Sequence, residues 1–72
     1  MKALNQFEIL NSKAETDYRV CQILKNHNEI EAVAFHAQQY LEKKMKAFLA
    51  LNEEPFEKIH DLNRLNQKCI EI

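Results

Sequence analysis

Apolar residues recur along this chain at the interval of a helix. The first stripe, Leu4, Phe7, Leu10, Ala14, Tyr18, Cys21 and Leu24, steps by three or four residues throughout, which predicts a helix over about residues 4–26 with one apolar face. Ser12 followed by Glu15 has capping-box spacing and leaves open a later start, with residues 1–10 as a separate turn. The second pattern opens at Asn28, read as an N-cap with Glu31 three residues on, and stops at Leu51 before Asn52 and Pro55, which predicts a helix over about 29–51. On that helix Ile30, Val33, Ala34, Ala37, Tyr40, Leu41, Met45, Ala47, Phe48 and Leu51 share an arc of roughly 160°. His36, Gln38, Gln39, Glu42, Lys43 and Lys46 fill the other side, and by themselves read as a solvated face. Lys44 interrupts the arc, so its stem is expected along apolar surface with the ammonium in water. After a loop over 52–58, Leu62, Leu65, Cys69 and Ile72 continue the helical period, predicting a third helix over about 59–71 with no stop signal before the last residue.

These elements make one all-α domain over residues 1–72, an antiparallel up-and-down bundle of three helices. The chain has no glycine, so left-handed helix caps fall to asparagine, with Asn26, Asn28 and Asn52 as the candidates. The same absence excludes a Walker loop and a dinucleotide fingerprint, which need glycine to bring backbone N–H groups against phosphate.

Length changes the picture next. A domain of 72 residues has a thin core, and below about 70–80 residues one core rarely supplies more than roughly 3–5 kcal/mol without a disulfide, a metal or a partner chain. Association is therefore expected. Ten basic and eleven acidic residues give a net charge of −1, with no field to draw in nucleic acid nonspecifically. No apolar run reaches the roughly 20 residues of a membrane span, and the start of the chain has no signal-peptide block, so a cytoplasmic protein without a membrane is expected.

Candidate chemistry is sparse. Cys21 and Cys69 belong to no CxxC, and His27, His36 and His60 form no i,i+4 pair, so no metal or other cofactor is expected. Both cysteines read as reduced, half-buried helix residues. Ser12, the only serine, is accounted for as a helix cap. Glu42 stands four residues before Lys46, a spacing that makes an ordinary stabilising pair. At the third helix start, Asp61 suits the positive end of the dipole and His60 can pack over the preceding turn.

Residues 34–62, AFHAQQYLEKKMKAFLALNEEPFEKIHDL, resemble the signature of HEPN domains, the higher-eukaryote and prokaryote nucleotide-binding family. The matching pieces are Phe35-His36-Ala37-Gln38-Gln39, Glu42-Lys43 with Lys46-Ala47, Pro55, and His60-Asp61-Leu62. AETDYRVCQIL, residues 14–24, is similar to the family's first helix, where an Ala and an Asp three residues apart recur, here Ala14 and Asp17. The resemblance covers about residues 12–65 in consistent order and spacing. It implies a helical fold of four or five helices, of which this chain lacks the last one or two. It also implies dimers or pairing with a nucleotidyltransferase-type protein, often in bacterial and archaeal toxin–antitoxin operons. Many members are RNases whose Arg is followed after four to six residues by a His, the Arg binding the scissile phosphate and the His handling the ribose hydroxyl or leaving group. That signature is missing: no His follows Arg64, and seven residues separate Arg19 from His27.

The resulting expectation is an association module without catalytic residues, a nucleotide- or substrate-binding or toxin–antitoxin accessory subunit. It would act as a homodimer or with a nucleotidyltransferase-type partner, with RNA or a nucleotide as ligand. His36, Gln39, Lys43, Lys46, His60 and Asp61 are the groove candidates. Phe48, Leu51, Leu62, Leu65, Cys69 and Ile72 are the interface candidates, with the polar residues of the second helix outside the seam. The alternatives are a HEPN ribonuclease using His36 or His60 as acid or base with Lys43 or Lys46 on phosphate, and an inactive fragment of a split domain.

Overall fold

The computed structural model describes residues 5–56 and 59–72, so the expected contributions of Leu4 and Lys58 lie outside the described residues. Helix α1 (Gln6–Lys25) and helix α2 (Ile30–Leu51) form an antiparallel hairpin, and the shorter α3 (Leu62–Ile70) packs on the second half of α2. This is the all-α arrangement that the period predicts, with α1 starting two residues later and ending one earlier than expected and α3 starting three residues later.

The start of α1 is set by Asn5, whose side chain accepts the Glu8 backbone N–H at 2.9 Å. The helix is then continuous. Ser12 lies in its interior, where its carbonyl accepts the Thr16 hydroxyl at 3.3 Å, so the expected Ser12 cap is not made. Asn5 and Glu8 have the same three-residue spacing as Ser12 and Glu15, and the cap is made at Asn5, at the start of the apolar stripe.

Two Schellman-type turns end α1 and α2. In the first, Asn28 takes a left-handed φ of 59°, Glu29 N–H reaches Leu24 O at 3.2 Å and Asn28 N–H reaches Lys25 O at 3.2 Å. Asn28 is therefore the end of one helix and not the N-cap of the next. Glu29 occupies that place and makes no side-chain cap bond. In the second turn Glu54 N–H reaches Leu49 O at 2.9 Å and Glu53 N–H reaches Ala50 O at 3.1 Å. The left-handed residue there is Glu53, with φ 57°, and not Asn52, whose side chain donates to Phe48 O at 2.8 Å.

The core sits where α2, α3 and the loop meet. Leu49 and Leu65 are fully buried and Phe56, from the loop, nearly so, with Leu10, Met45, Ile59, Leu62 and Cys69 around them. Ala14 of α1 and Ala47 of α2 are both essentially without exposure, and across the same hairpin the Tyr18 and Tyr40 rings meet and the Cys21 thiol donates to Val33 O. Small side chains bring the helix axes together. They leave room beside them for a buried carboxylate.

Candidate functional site

That carboxylate is Asp17, 6% exposed, on the face of α1 that meets α2. One oxygen lies 2.9 Å from His36 Nδ1 and the other accepts from Lys43 Nζ. His36 and Lys43 are seven residues apart, two turns of α2, so both reach the same point on α1. Burial pushes the Asp17 carboxyl up, but the hydrogen bonds and positive charge of Lys43 and His36 outweigh it and hold the group below the usual carboxylate value.

A second cluster adjoins on α2. Lys46, itself 9% exposed, donates to Glu42 Oε2 at 3.0 Å and lies 3.4 Å from His60 Nδ1, which is 3.9 Å from the same Glu42 oxygen. Lys46 is a donor only, so this contact fits the His60 tautomer with Nδ1 as acceptor. His60 is the exposed member, with most of its side chain in water. The next residue, Asp61, caps α3 by accepting the Asn63 N–H at 2.8 Å.

The face expected to be solvated is thus the inner one. His36 and Lys43 are turned toward α1 and Lys46 toward His60, with Gln39 half-buried and Gln38 exposed, while Ile30, Leu41, Phe48 and Leu51 of the predicted apolar arc are exposed. The reason is the partner surface: Asp17 gives α2 cations a buried counter-charge, and the alanines at the crossing allow the approach. Lys44 also differs from expectation. Its ammonium reaches across to α1, 2.8 Å from Glu15 Oε1 and 2.6 Å from Asn11 Oδ1, and lies over the Tyr40 ring. Among the interface candidates, Leu65 is fully buried within the chain and Leu62 and Cys69 pack against the same core, so these three are already covered. Burial raises the Cys69 thiol above its ordinary value. Phe48, Leu51 and Ile72 stay exposed.

Sequence reasoning about site residues missed Asp17. Its signal was present, since Asp17 stands three residues from Ala14 on the apolar stripe of α1, where a lone acid needs a partner from a facing helix. It also missed Phe56, an aromatic in the loop that closes the core.

The sequence model of the HEPN domain matches residues 7–72. The chain belongs to the HEPN domain family. The match takes in α1 from its second residue, all of α2 and α3, and every member of both polar clusters. At family level the fold is a nucleotide-binding or RNase-type helical module, and no Arg-x4–6-His spacing occurs within residues 1–72. No curated protein and no solved structure gives a significant match.

Chemically, the two clusters are self-neutralised: Lys43 and Lys46 stand against Asp17 and Glu42, each cation on its own carboxylate. Neither lysine is left over for a phosphate. Among the described residues no group of three or more His, Cys, Asp or Glu could hold a metal ion, and no helix is long and apolar enough to cross a membrane.

Proposed function

We propose that this HEPN chain is an association module, an accessory subunit that works through helix packing against another polypeptide and has no catalysis of its own. The observation that carries this reading is the inverted distribution of apolar residues. Among the described residues ten large hydrophobics are exposed, including Ile30, Leu41, Phe48, Leu51, Ile70 and Ile72, whereas the large side chains of the buried core are Leu49, Phe56 and Leu65. A surface of that kind marks an interaction site. The partner is a second copy or a nucleotidyltransferase-type protein in a cytoplasmic toxin–antitoxin pair, and a nucleotide or RNA would be met at the exposed His60 edge. Sedimentation velocity over a wide concentration range tests the reading, alone and with the protein encoded beside it. A folded monomer throughout, indifferent to that partner, would sink it.

One observation favours a ribonuclease reading as the second choice. His60 is exposed beside Lys46, so an imidazole that can move a proton stands next to a cation. Cleavage of total RNA by the pure chain, lost in His60→Ala with helicity unchanged, would move the function to that reading. The Glu42 carboxylate on Lys46 weighs against it.

A further inference from the structure

Arg64, Gln67, Lys68 and Glu71 follow one another along α3 and its cap at intervals of three, one and three residues, so they share one flank of the helix beside the inward stripe of Leu62, Leu65 and Cys69. With Ile59 of the preceding loop they line an open notch of about 330 Å³. Its donors are unspent. Lys68 gives one N–H to the Pro55 carbonyl at 2.6 Å, a neutral acceptor, which fixes the ammonium and leaves it its charge and two further donors. Arg64 and Gln67 are exposed, and among the described residues nothing accepts a hydrogen bond from either side chain. Nor does an ion pair among the described residues include Arg64, Lys68 or Glu71. The lysines of α2 differ, since Lys43, Lys44 and Lys46 each sit on a carboxylate.

We infer that this notch seats an acidic side chain of an associating polypeptide, its carboxylate forked by Arg64 with Gln67 and Lys68 beside it. The inference rests on the association reading above and gives the chemistry of the surface that the partner presents. Charge selects a carboxylate. Two cations and one acid leave the notch a single positive charge, which one carboxylate balances, whereas a phosphate dianion sets its second charge against Glu71. The planar guanidinium also matches a carboxylate through two parallel hydrogen bonds. Exposure selects a polypeptide as the bearer. Arg64, Gln67 and Glu71 all reach water, so a small acid in the notch stays largely wet, short of the burial that small-molecule sites give their ligands. A carboxylate carried on a larger surface is sealed by its own neighbours, and an arginine desolvated in that way is a common anchor of protein interfaces. Ile59, half-buried in the lining, suits the methylenes of the incoming side chain.

The test titrates the isotope-labelled chain with blocked peptides at pH 7, read by two-dimensional NMR. Acetyl-Leu-Glu-Leu-amide is expected to shift the Arg64 Nε–H and the Gln67 side-chain amide, and to bind roughly 10-fold tighter than the same peptide with Gln in place of Glu. Arg64→Gln, at an exposed residue whose side chain bonds to nothing among the described residues, removes that preference and leaves the rest of the spectrum unchanged. Glu71→Gln tightens the acidic peptide about 3-fold, because the opposing charge is gone. Equal binding of the two peptides, no binding of either at about 10 mM, or a preference for Glu that survives Arg64→Gln overturns the inference. Inorganic phosphate moving the same signals at lower concentration than the acidic peptide makes the notch a phosphate site, and acetate matching the peptide makes it a small-molecule site; either overturns the polypeptide occupant. Sedimentation separates this inference from the reading beneath it. Association that is unchanged in Arg64→Gln overturns this contact and leaves the association reading intact, whereas a native chain that associates with nothing overturns both.

Discussion

Asp17 of α1 and His36 of α2 lie 2.9 Å apart, nitrogen to oxygen, across the contact between the two helices. With Lys43 on its other oxygen, Asp17 is the charge around which the hairpin closes. A carboxylate this far from water is held by its partners or not at all.

Replacing Asp17 by Asn keeps the shape and removes the charge, leaving Lys43 without its counter-ion. We expect Asp17→Asn to lower unfolding free energy by about 2–3 kcal/mol, less than a fully buried pair would lose because Lys43 and His36 keep some solvent contact. Urea denaturation followed at 222 nm measures it. A change below about 0.5 kcal/mol would reassign the hairpin's stability to the alanine contact alone.

The same group sets an acid limit. Its carboxyl is held below the ordinary value, so the folded state binds the proton more weakly than the unfolded chain does. Its stabilising effect is complete above the unfolded value of about 3.8 and is lost as pH falls through the lower folded value. Melting temperatures between pH 6 and pH 2 should therefore drop more steeply for the native chain than for Asp17→Asn. Parallel curves would show that another carboxylate governs acid unfolding.

Leu65 and Ile72 share one helical stripe but not one environment: Leu65 has no exposure and Ile72 is 51% exposed. Leu65→Ala should cost about 2–5 kcal/mol, whereas Ile72→Ala should stay within about 0.5 kcal/mol at concentrations where the chain is monomeric. Comparable losses in the two would mean that Ile72 is covered in solution.

Glu53 holds a left-handed φ of 57° at the end of α2, a conformation in which a Cβ is unfavourable. Glu53→Gly is expected to stabilise the chain by about 0.5–1 kcal/mol, the relief at this φ outweighing the extra freedom of glycine in the unfolded state. Thermal unfolding would read it as a higher midpoint, and a lower midpoint would mean that the Glu53 side chain does something the turn needs.

What the sequence determined by itself was the number, length and direction of the helices. Period and stop signals are local, and here they agreed with one another: the 3.6-residue stripes, Asn28 in the left-handed turn, Asn52 and Pro55 after α2, and Asp61 capping α3. The HEPN pieces in residues 14–24 and 34–62 were also legible, because a family signature is a pattern of spacing. Which side of α2 faces inward was decided only by tertiary structure. A helical wheel counts apolar residues, and on α2 it favours the arc of Leu41 and Phe48; the fold turns His36, Lys43 and Lys46 inward, because Asp17, Glu42 and two alanines supply countercharge and close approach there. The worth of a cation on an inner face depends on what faces it, and for His36 and Lys43 that is Asp17, 19 and 26 residues away in the chain.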